Sequence, residues 1–278
     1  MKHLFDEVSY ATSKLTTRTY STSFSLGIHC LKKSIHEPIY NIYGFVRFAD
    51  EIVDSFHDYD KRLLFDEFRQ ETYKAIDRGL SLNPVLNSFQ KVVKQYKIEI
   101  ELIDCFLDSM EMDLTQQFHS EDSYKNYILG SAEVVGLMCL RVFTNGDEDS
   151  YQKLKPSAMK LGSAFQKINF LRDLKDDYKT LGRIYFPNVD IARLTAKEKA
   201  EIELDIEADF RAALEGIKQL PTTSRFGVYV AYVYYYALFT KIKGIPSCKI
   251  MLERIRISNY QKVGLLARSY FKHSLRML

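Results

Sequence analysis

YNIYGFVRFADEIVD, residues 40–54, is the stretch on which the fold turns. Positions 40, 43, 47, 50 and 54 recur at spacings of 3, 4, 3 and 4, the seam a helix presents to its neighbours in a bundle. Apolar side chains normally fill that seam. Here it holds Tyr40, Tyr43, Arg47, Asp50 and Asp54, while Ile42, Phe45, Val46, Phe48, Ala49, Ile52 and Val53 cover most of the remaining circumference. The pattern predicts a helix buried on most sides, with one polar stripe facing a cavity.

The same construction recurs in AFQKINFLRDLKDDY, residues 164–178. Gln166, Asn169, Asp173 and Asp177 form its stripe, Arg172 lies beside it, and Phe165, Ile168, Phe170, Leu171 and Leu174 surround it. One pair of aspartates four residues apart means little, since about five such pairs arise by chance in a chain with 36 acidic residues. Two pairs, each embedded in an apolar helix and each with an arginine within one turn, mean more. Buried carboxylates need a counter-charge. Arg47 and Arg172 supply part of it, and divalent cations are the better candidates for the rest. Carboxylates one helical turn apart can converge on one point. Mg²⁺ prefers oxygen, dehydrates reluctantly and takes one or two carboxylates together with substrate phosphates. The implied ligand is a diphosphate held between metal ions, with an apolar tail in the rest of the cavity.

Outward from these stretches, helical periodicity covers about residues 5–18, 36–56, 60–78, 84–95, 98–117, 121–145, 149–179, 196–219, 222–243 and 259–274. The breaks fall at Glu37-Pro38, Asn83-Pro84, Asn145-Gly146, Phe186-Pro187, Leu220-Pro221 and Lys243 to Pro246. No linker is long enough to separate domains, so one all-α domain over residues 1–278 is expected.

Composition agrees. Only 12 Gly and 6 Pro in 278 residues argue against a turn-rich β-sandwich, and 46% hydrophobic residues suffice for a large core. A net charge of +3, with both signs mixed throughout, leaves no footprint for nucleic acid. The charged segment 196–215 reads as a solvated helix face. Cys30, Cys105, Cys139 and Cys248 lie far apart without zinc-ligand spacing and read as buried free thiols. The N-terminal stretch shows no apolar core of a leader, and no charge-free apolar run reaches spanning length. The nearest is residues 226–239, which carries five tyrosines. The expected location is the cytoplasm, with peripheral membrane contact through the basic and apolar ARSYFKHSLRML tail as an option.

The two stripes, together with GRIYFP (182–187), STSF (21–24) and YILGSAEVVG (127–136), resemble the squalene/phytoene synthase family, most closely bacterial phytoene synthases. The resemblance runs along nearly the whole chain. It implies an isoprenoid-synthase helical bundle around a central cavity, prenyl diphosphate substrates and diphosphate-bridged Mg²⁺ ions. It also implies that Asp50 and Asp54 form a first metal-binding motif, with Glu51 where many relatives carry Asp, and that Asp173 and Asp177 form a second. Gln166 and Asn169 line the same site. Arg47, Arg172, Ser21, Ser23 and Tyr43 match positions that contact diphosphate, and Arg183 and Tyr185 match positions that stabilise its departure. Tyr234 and one of Arg254 or Arg256 correspond to later site residues, with Arg256 taken here.

One departure stands out: Leu129 occupies a position where the family usually has Tyr, associated with the second ionisation. Tyr127, about 200° away around a helix, is not a simple replacement.

The implied reaction is head-to-head condensation of two geranylgeranyl diphosphates to phytoene through a cyclopropyl diphosphate. The alternatives are a C15 dehydrosqualene or squalene synthase and a non-catalytic scaffold. The faces of Phe24, Phe45 and the 232–236 tyrosines are suited to stabilise a carbocation, although a core role fits the tyrosine run equally well. No dinucleotide-binding glycine motif is present, which favours a reaction without reductant and without a nucleotide cofactor. His57-Asp58 reads as a loop after the first aspartate helix rather than a phosphohydrolase site.

Overall fold

The structure is a computed structural model that describes residues 1–115, 119–251 and 254–274. Among these residues the chain forms α-helices and no β-strand. The helices are α1 (Lys2–Tyr20), α2 (Thr22–His29), α3 (His36–Asp54), α4 (Lys61–Arg78), α5 (Pro84–Tyr96), α6 (Ile100–Thr115), α7 (Glu121–Ile128), α8 (Val134–Phe143), α9 (Glu148–Asp176), α10 (Ala196–Gln219), α11 (Arg225–Lys243) and α12 (Asn259–Ser274). A π-helical turn, Leu129–Glu133, makes α7 and α8 continuous, and a second, Asp177–Leu181, extends α9. The joined helix Glu121–Phe143, of mean hydropathy 1.3, is long and apolar enough to cross a membrane, and half of it is buried inside the fold.

Local chemistry sets the helix ends. Asp60 and Asn83 accept backbone N–H groups at the starts of α4 and α5, and Thr195 with Glu198 forms a capping box on α10. Helix α2 goes unseen in the periodicity because it has only eight residues. Its start is set by the Ser21 hydroxyl, which accepts the Phe24 N–H at 3.1 Å.

Helix α1 is inverted relative to an ordinary amphipathic helix. It buries Ser9, Ser13, Thr16 and Thr17. Small residues let α1 approach α3 closely: a Cβ on Gly44 would lie 2.7 Å from Ser13 Oγ. The Ser13 and Ser88 hydroxyls bond at 2.8 Å, tying α1 to α5.

The buried apolar residues form two clusters, one around α3, α5 and α6 and one around α9, α10 and α11. Leu102, Phe143 and Val228 pack against both. Helix α3 belongs to the first cluster and α9 to the second, so their polar stripes meet where the clusters join.

The structure corrects several expectations. Phe45 is fully buried, stacked on Phe89 with ring centroids 3.9 Å apart and flanked by Phe68 and Phe106; it is core rather than cavity wall. Tyr40 is also buried, on the Tyr10 side of α3, and does not share the exposure of the rest of its stripe. The charged helix α10 is not merely a solvated face, because Asp209 is 2% exposed. All four cysteines are free, but none is fully buried: Cys30, Cys105 and Cys139 are half-buried and Cys248 is exposed.

Candidate active site

Helix α3 presents Tyr43, Arg47, Asp50 and Asp54 from successive turns, and α9 presents Gln166, Asn169, Arg172 and Asp173. Asp177 opens the π-helical turn that follows. Gly182, with φ +68°, then reverses the chain in a conformation that a side chain disfavours. The reversal turns GRIYFP back onto the site, and the Arg183 N–H donates to the Asp177 carbonyl at 3.0 Å.

Arginines hold the aspartates. Arg47 donates to Asp50 at 2.5 Å and to Glu51, and its guanidinium lies over the Tyr20 ring, 4.3 Å from the centroid. Its Nε is buried without a partner. Arg172 pairs with the neighbouring Asp173 through two nitrogens, one of them at 2.9 Å. The Arg183 side chain, on the segment that follows α9, ties α3 to α6: it donates to Asp54 at 2.7 Å and to the Asp113 carbonyl at 3.0 Å, and it lies 3.6 Å from the Asp113 carboxylate.

Aromatic groups close the site. The Tyr185 hydroxyl donates to Asp113 at 3.3 Å, and its ring stacks on Phe170 at 4.2 Å. Tyr43 packs on Phe24 with centroids 4.8 Å apart, and Ser21 beside it caps α2. Ser23 is half-buried in the first turn of α2. Asn169 donates to Gln166 at 3.5 Å and accepts from Tyr235 at 3.3 Å.

Three placements differ from expectation. Tyr234 is turned away from the aspartates, its hydroxyl bonded to the Lys262 carbonyl at 2.9 Å; its neighbour Tyr235 reaches Asn169 and stacks on Phe165 at 3.8 Å. Arg254 rather than Arg256 reaches the site, with its Nε 2.8 Å from Asp173. Of the 232–236 tyrosines only Tyr235 faces the aspartates, whereas Tyr232 and Tyr236 pack around Phe210.

Asp113 was not anticipated. It is 3% exposed, and besides Tyr185 and Arg183 it accepts the Tyr127 hydroxyl at 2.7 Å. Tyr127 therefore borders the site, although from a different direction than a side chain at 129. In the sequence Asp113 alternates with Glu111 between Met110, Met112 and Leu114, and nothing in that pattern singles it out. Leu129 packs partly buried against the first apolar cluster.

Residues 17–261 match the sequence profile of squalene/phytoene synthase. The chain belongs to the squalene/phytoene synthase family. Similar members of the family include a presqualene diphosphate synthase of Sinorhizobium fredii, 30% identical over 66% of this chain and 65% of that protein. A phytoene synthase of Arthrospira platensis is 25% identical over 84% of both. The chain covers less than two thirds of the length of the presqualene diphosphate synthases it matches. Its fold is that of a crystallised dehydrosqualene synthase, with a TM-score of 0.81 and 20% identity over 98% of both chains.

In this family member the site carries more negative charge than its arginines neutralise. Asp50 is pushed up to about 6 by its low-polarity surroundings and by Asp54. Burial pushes Asp113 up to about 7, and burial with the nearby Asp173 pushes Asp177 up to about 8. A cation placed among such carboxyls would favour their charged forms. Every acidic donor here is a hard oxygen, which suits Mg²⁺. Among the described residues no three acidic, His or Cys side chains close on one point. An ion held by one or two of these aspartates would therefore complete its shell from water or from a bound anion.

Proposed function

We propose that this chain joins two prenyl diphosphates head to head, in the first instance two geranylgeranyl diphosphates to give phytoene. The observation that carries the reading is the meeting of two aspartate pairs, one from α3 and one from α9, through Arg183. Asp50 and Asp54 on one side, and Asp173 and Asp177 on the other, would hold Mg²⁺. The ion supplies Lewis-acid withdrawal of charge from a diphosphate.

The chain's own residues do the rest. Arg47, Arg172 and Arg254 stand beside these aspartates, placed to take the diphosphate oxygens and orient the ester carbon toward the apolar side. Arg183 and Tyr185, fixed by Gly182 and Asp113, are placed to receive the negative charge that grows as the C–O bond breaks. The C2=C3 electrons of the second substrate then attack C1 of the allylic cation, and loss of a proton closes a cyclopropyl diphosphate. Ionisation of that intermediate, rearrangement and a further proton loss give the conjugated hydrocarbon. Phe24, Tyr43, Phe165 and Tyr235 offer unreactive faces to the cations and exclude water, which would trap them as alcohols.

A second reading has its own support. Leu129 stands where relatives usually carry the tyrosine of the second ionisation, and two similar relatives are named presqualene diphosphate synthases. The reaction would then end at the cyclopropyl diphosphate. Incubation with Mg²⁺ and either C20 or C15 prenyl diphosphate, without reductant, separates the readings. Phytoene from C20 supports the first, and dehydrosqualene from C15 its shorter-chain form. Cyclopropyl diphosphate that Leu129→Tyr converts to hydrocarbon supports the second. No product from either substrate overturns both and leaves a scaffold role. Because a hydrocarbon product is insoluble in water, we propose a cytoplasmic enzyme that makes peripheral membrane contact to release it.

A further inference from the structure

Between the first turns of α3 and the last turns of α5 lies a cleft of about 120 Å³. Two polar pairs, each spaced by one helical turn, line it: Glu37 and Asn41 from α3, and Lys91 and Gln95 from α5. Ser34 and Tyr96 complete the polar lining. At 1.5 Å per residue, Asn41 stands about 14–20 Å along α3 from Asp50 and Asp54, so the cleft is no part of the site described above.

Its floor carries an unmet hydrogen bond. Asn41 is 1% exposed, and its Oδ1 has no partner among the described residues. Leaving a buried acceptor unpaired is costly. A single water needs only about 10–15 Å³ and would fill a small part of the space beside it.

Charge narrows what fits. Asn41 Oδ1 calls for an N–H or O–H donor. The rim holds one charge of each sign, Glu37 and Lys91, and these meet loosely, at 3.3 Å with both side chains about half exposed. Such a pair contributes little by itself and gives up little by sharing its charges with a ligand. A cation alone would be opposed by Lys91, an anion alone by Glu37, and a neutral polyol would leave both charges unused. A molecule with one ammonium and one carboxylate answers every group: the ammonium donates to Asn41 and Glu37, and the carboxylate accepts from Lys91. Burial and the nearby Glu37 push the Tyr96 hydroxyl up, so it keeps its proton and adds a donor.

We infer that this cleft is a binding site for a small zwitterion, an amino acid of the size of glycine or serine, held through Asn41, Glu37 and Lys91. It stands apart from the reaction proposed above, and binding there is read without turnover.

Titration calorimetry on the 278-residue chain compares glycine and L-serine with methylammonium, acetate and glycerol. At least one of the two zwitterions should bind once per chain with a Kd of about 1 mM, the scale such small molecules reach, and each of the three controls about tenfold more weakly or worse. Lys91→Gln, at the exposed rim, should weaken zwitterion binding about tenfold and leave prenyl diphosphate turnover unchanged. Asn41→Leu should abolish binding and, because it removes an unpaired buried acceptor, should melt no lower than the parent. Should Asn41→Leu fail to fold, Lys91→Gln still decides. No binding of either zwitterion leaves the cleft to solvent water and overturns the inference. So does methylammonium or acetate binding as tightly as glycine and serine, or zwitterion binding that the folded Lys91→Gln variant leaves unchanged.

Discussion

Helix α9 carries two acid clusters built on opposite principles. In its middle, Asp209 of α10 is almost fully buried, yet Lys160 at 2.8 Å, Lys167 at 2.6 Å and Ser163 at 2.7 Å all bond it. Lys167 also reaches Asp205 at 2.5 Å. These partners hold the Asp209 carboxyl below the usual carboxylate range even though burial works the other way. At the end of the same helix, Asp173 and Asp177 join Asp50, Asp54 and Asp113, and there Asp50, Asp113 and Asp177 are pushed up. A structural ion cluster balances its charges within the protein. A binding site leaves a surplus for its ligand to neutralise, and the direction of the pKa shifts tells the two apart.

Substitutions should separate them. Asp173→Asn removes surplus charge from the site, so turnover of prenyl diphosphate should fall by roughly 10³-fold, on the scale of lost electrostatic stabilisation, while the melting temperature stays level or rises. Asp50→Asn should behave alike. Full activity in either variant would remove the aspartates from the mechanism. Asp209→Asn should do the reverse: it leaves Lys167 short of its buried partner and costs about 3 kcal/mol in denaturant unfolding. Below its midpoint this variant should retain near-normal turnover. A variant as stable as the parent would show that the cluster is not balanced as described.

Acidity sharpens the contrast because the two clusters respond with opposite sign. A carboxyl whose pKa is raised on folding takes up a proton as the chain folds, so its contribution favours the fold at low pH and is lost as pH rises through the raised value. For Asp50, Asp113 and Asp177 that loss runs from about pH 4 to about pH 8. The metal-free protein should therefore lose melting temperature across this range, and Mg²⁺ should restore more at pH 8 than at pH 5. Asp209 contributes in the opposite sense: its stabilisation is present above about pH 4 and disappears on further acidification. Asp177→Asn should flatten the neutral limb of the profile and Asp209→Asn the acid limb. The smallest effect is expected for Tyr235→Phe, which loses one hydrogen bond to Asn169 while keeping its stack on Phe165; a few-fold rise in KM with little change in stability would fit one neutral bond.

Most of the helical architecture was legible because long helices announce themselves by period and by their breaks. The polar stripes of α3 and α9 were legible for the same reason, since charge inside an apolar helix has no bland explanation. What escaped lies in three dimensions. Asp113 has Ser109 and Met110 one turn before it rather than a second acid, and only the fold brings Tyr127, Tyr185 and Arg183 to it. Tyr235 and Tyr234 are adjacent in a run of aromatic residues, and periodicity cannot rank neighbours when both faces of a helix are buried. Arg254 and Arg256 lie outside any periodic segment, so only the path of the chain distinguishes them. Asp209 was hidden because the lysines that answer it stand on another helix.

The account rests on the surplus negative charge where α3 meets α9. Titration calorimetry with inorganic diphosphate tests it most directly. Diphosphate should bind the wild-type protein when Mg²⁺ is present and not in its absence, and Asp50→Asn or Asp173→Asn should weaken that binding steeply. Equal binding of diphosphate with and without Mg²⁺, unchanged by either substitution, would contradict it.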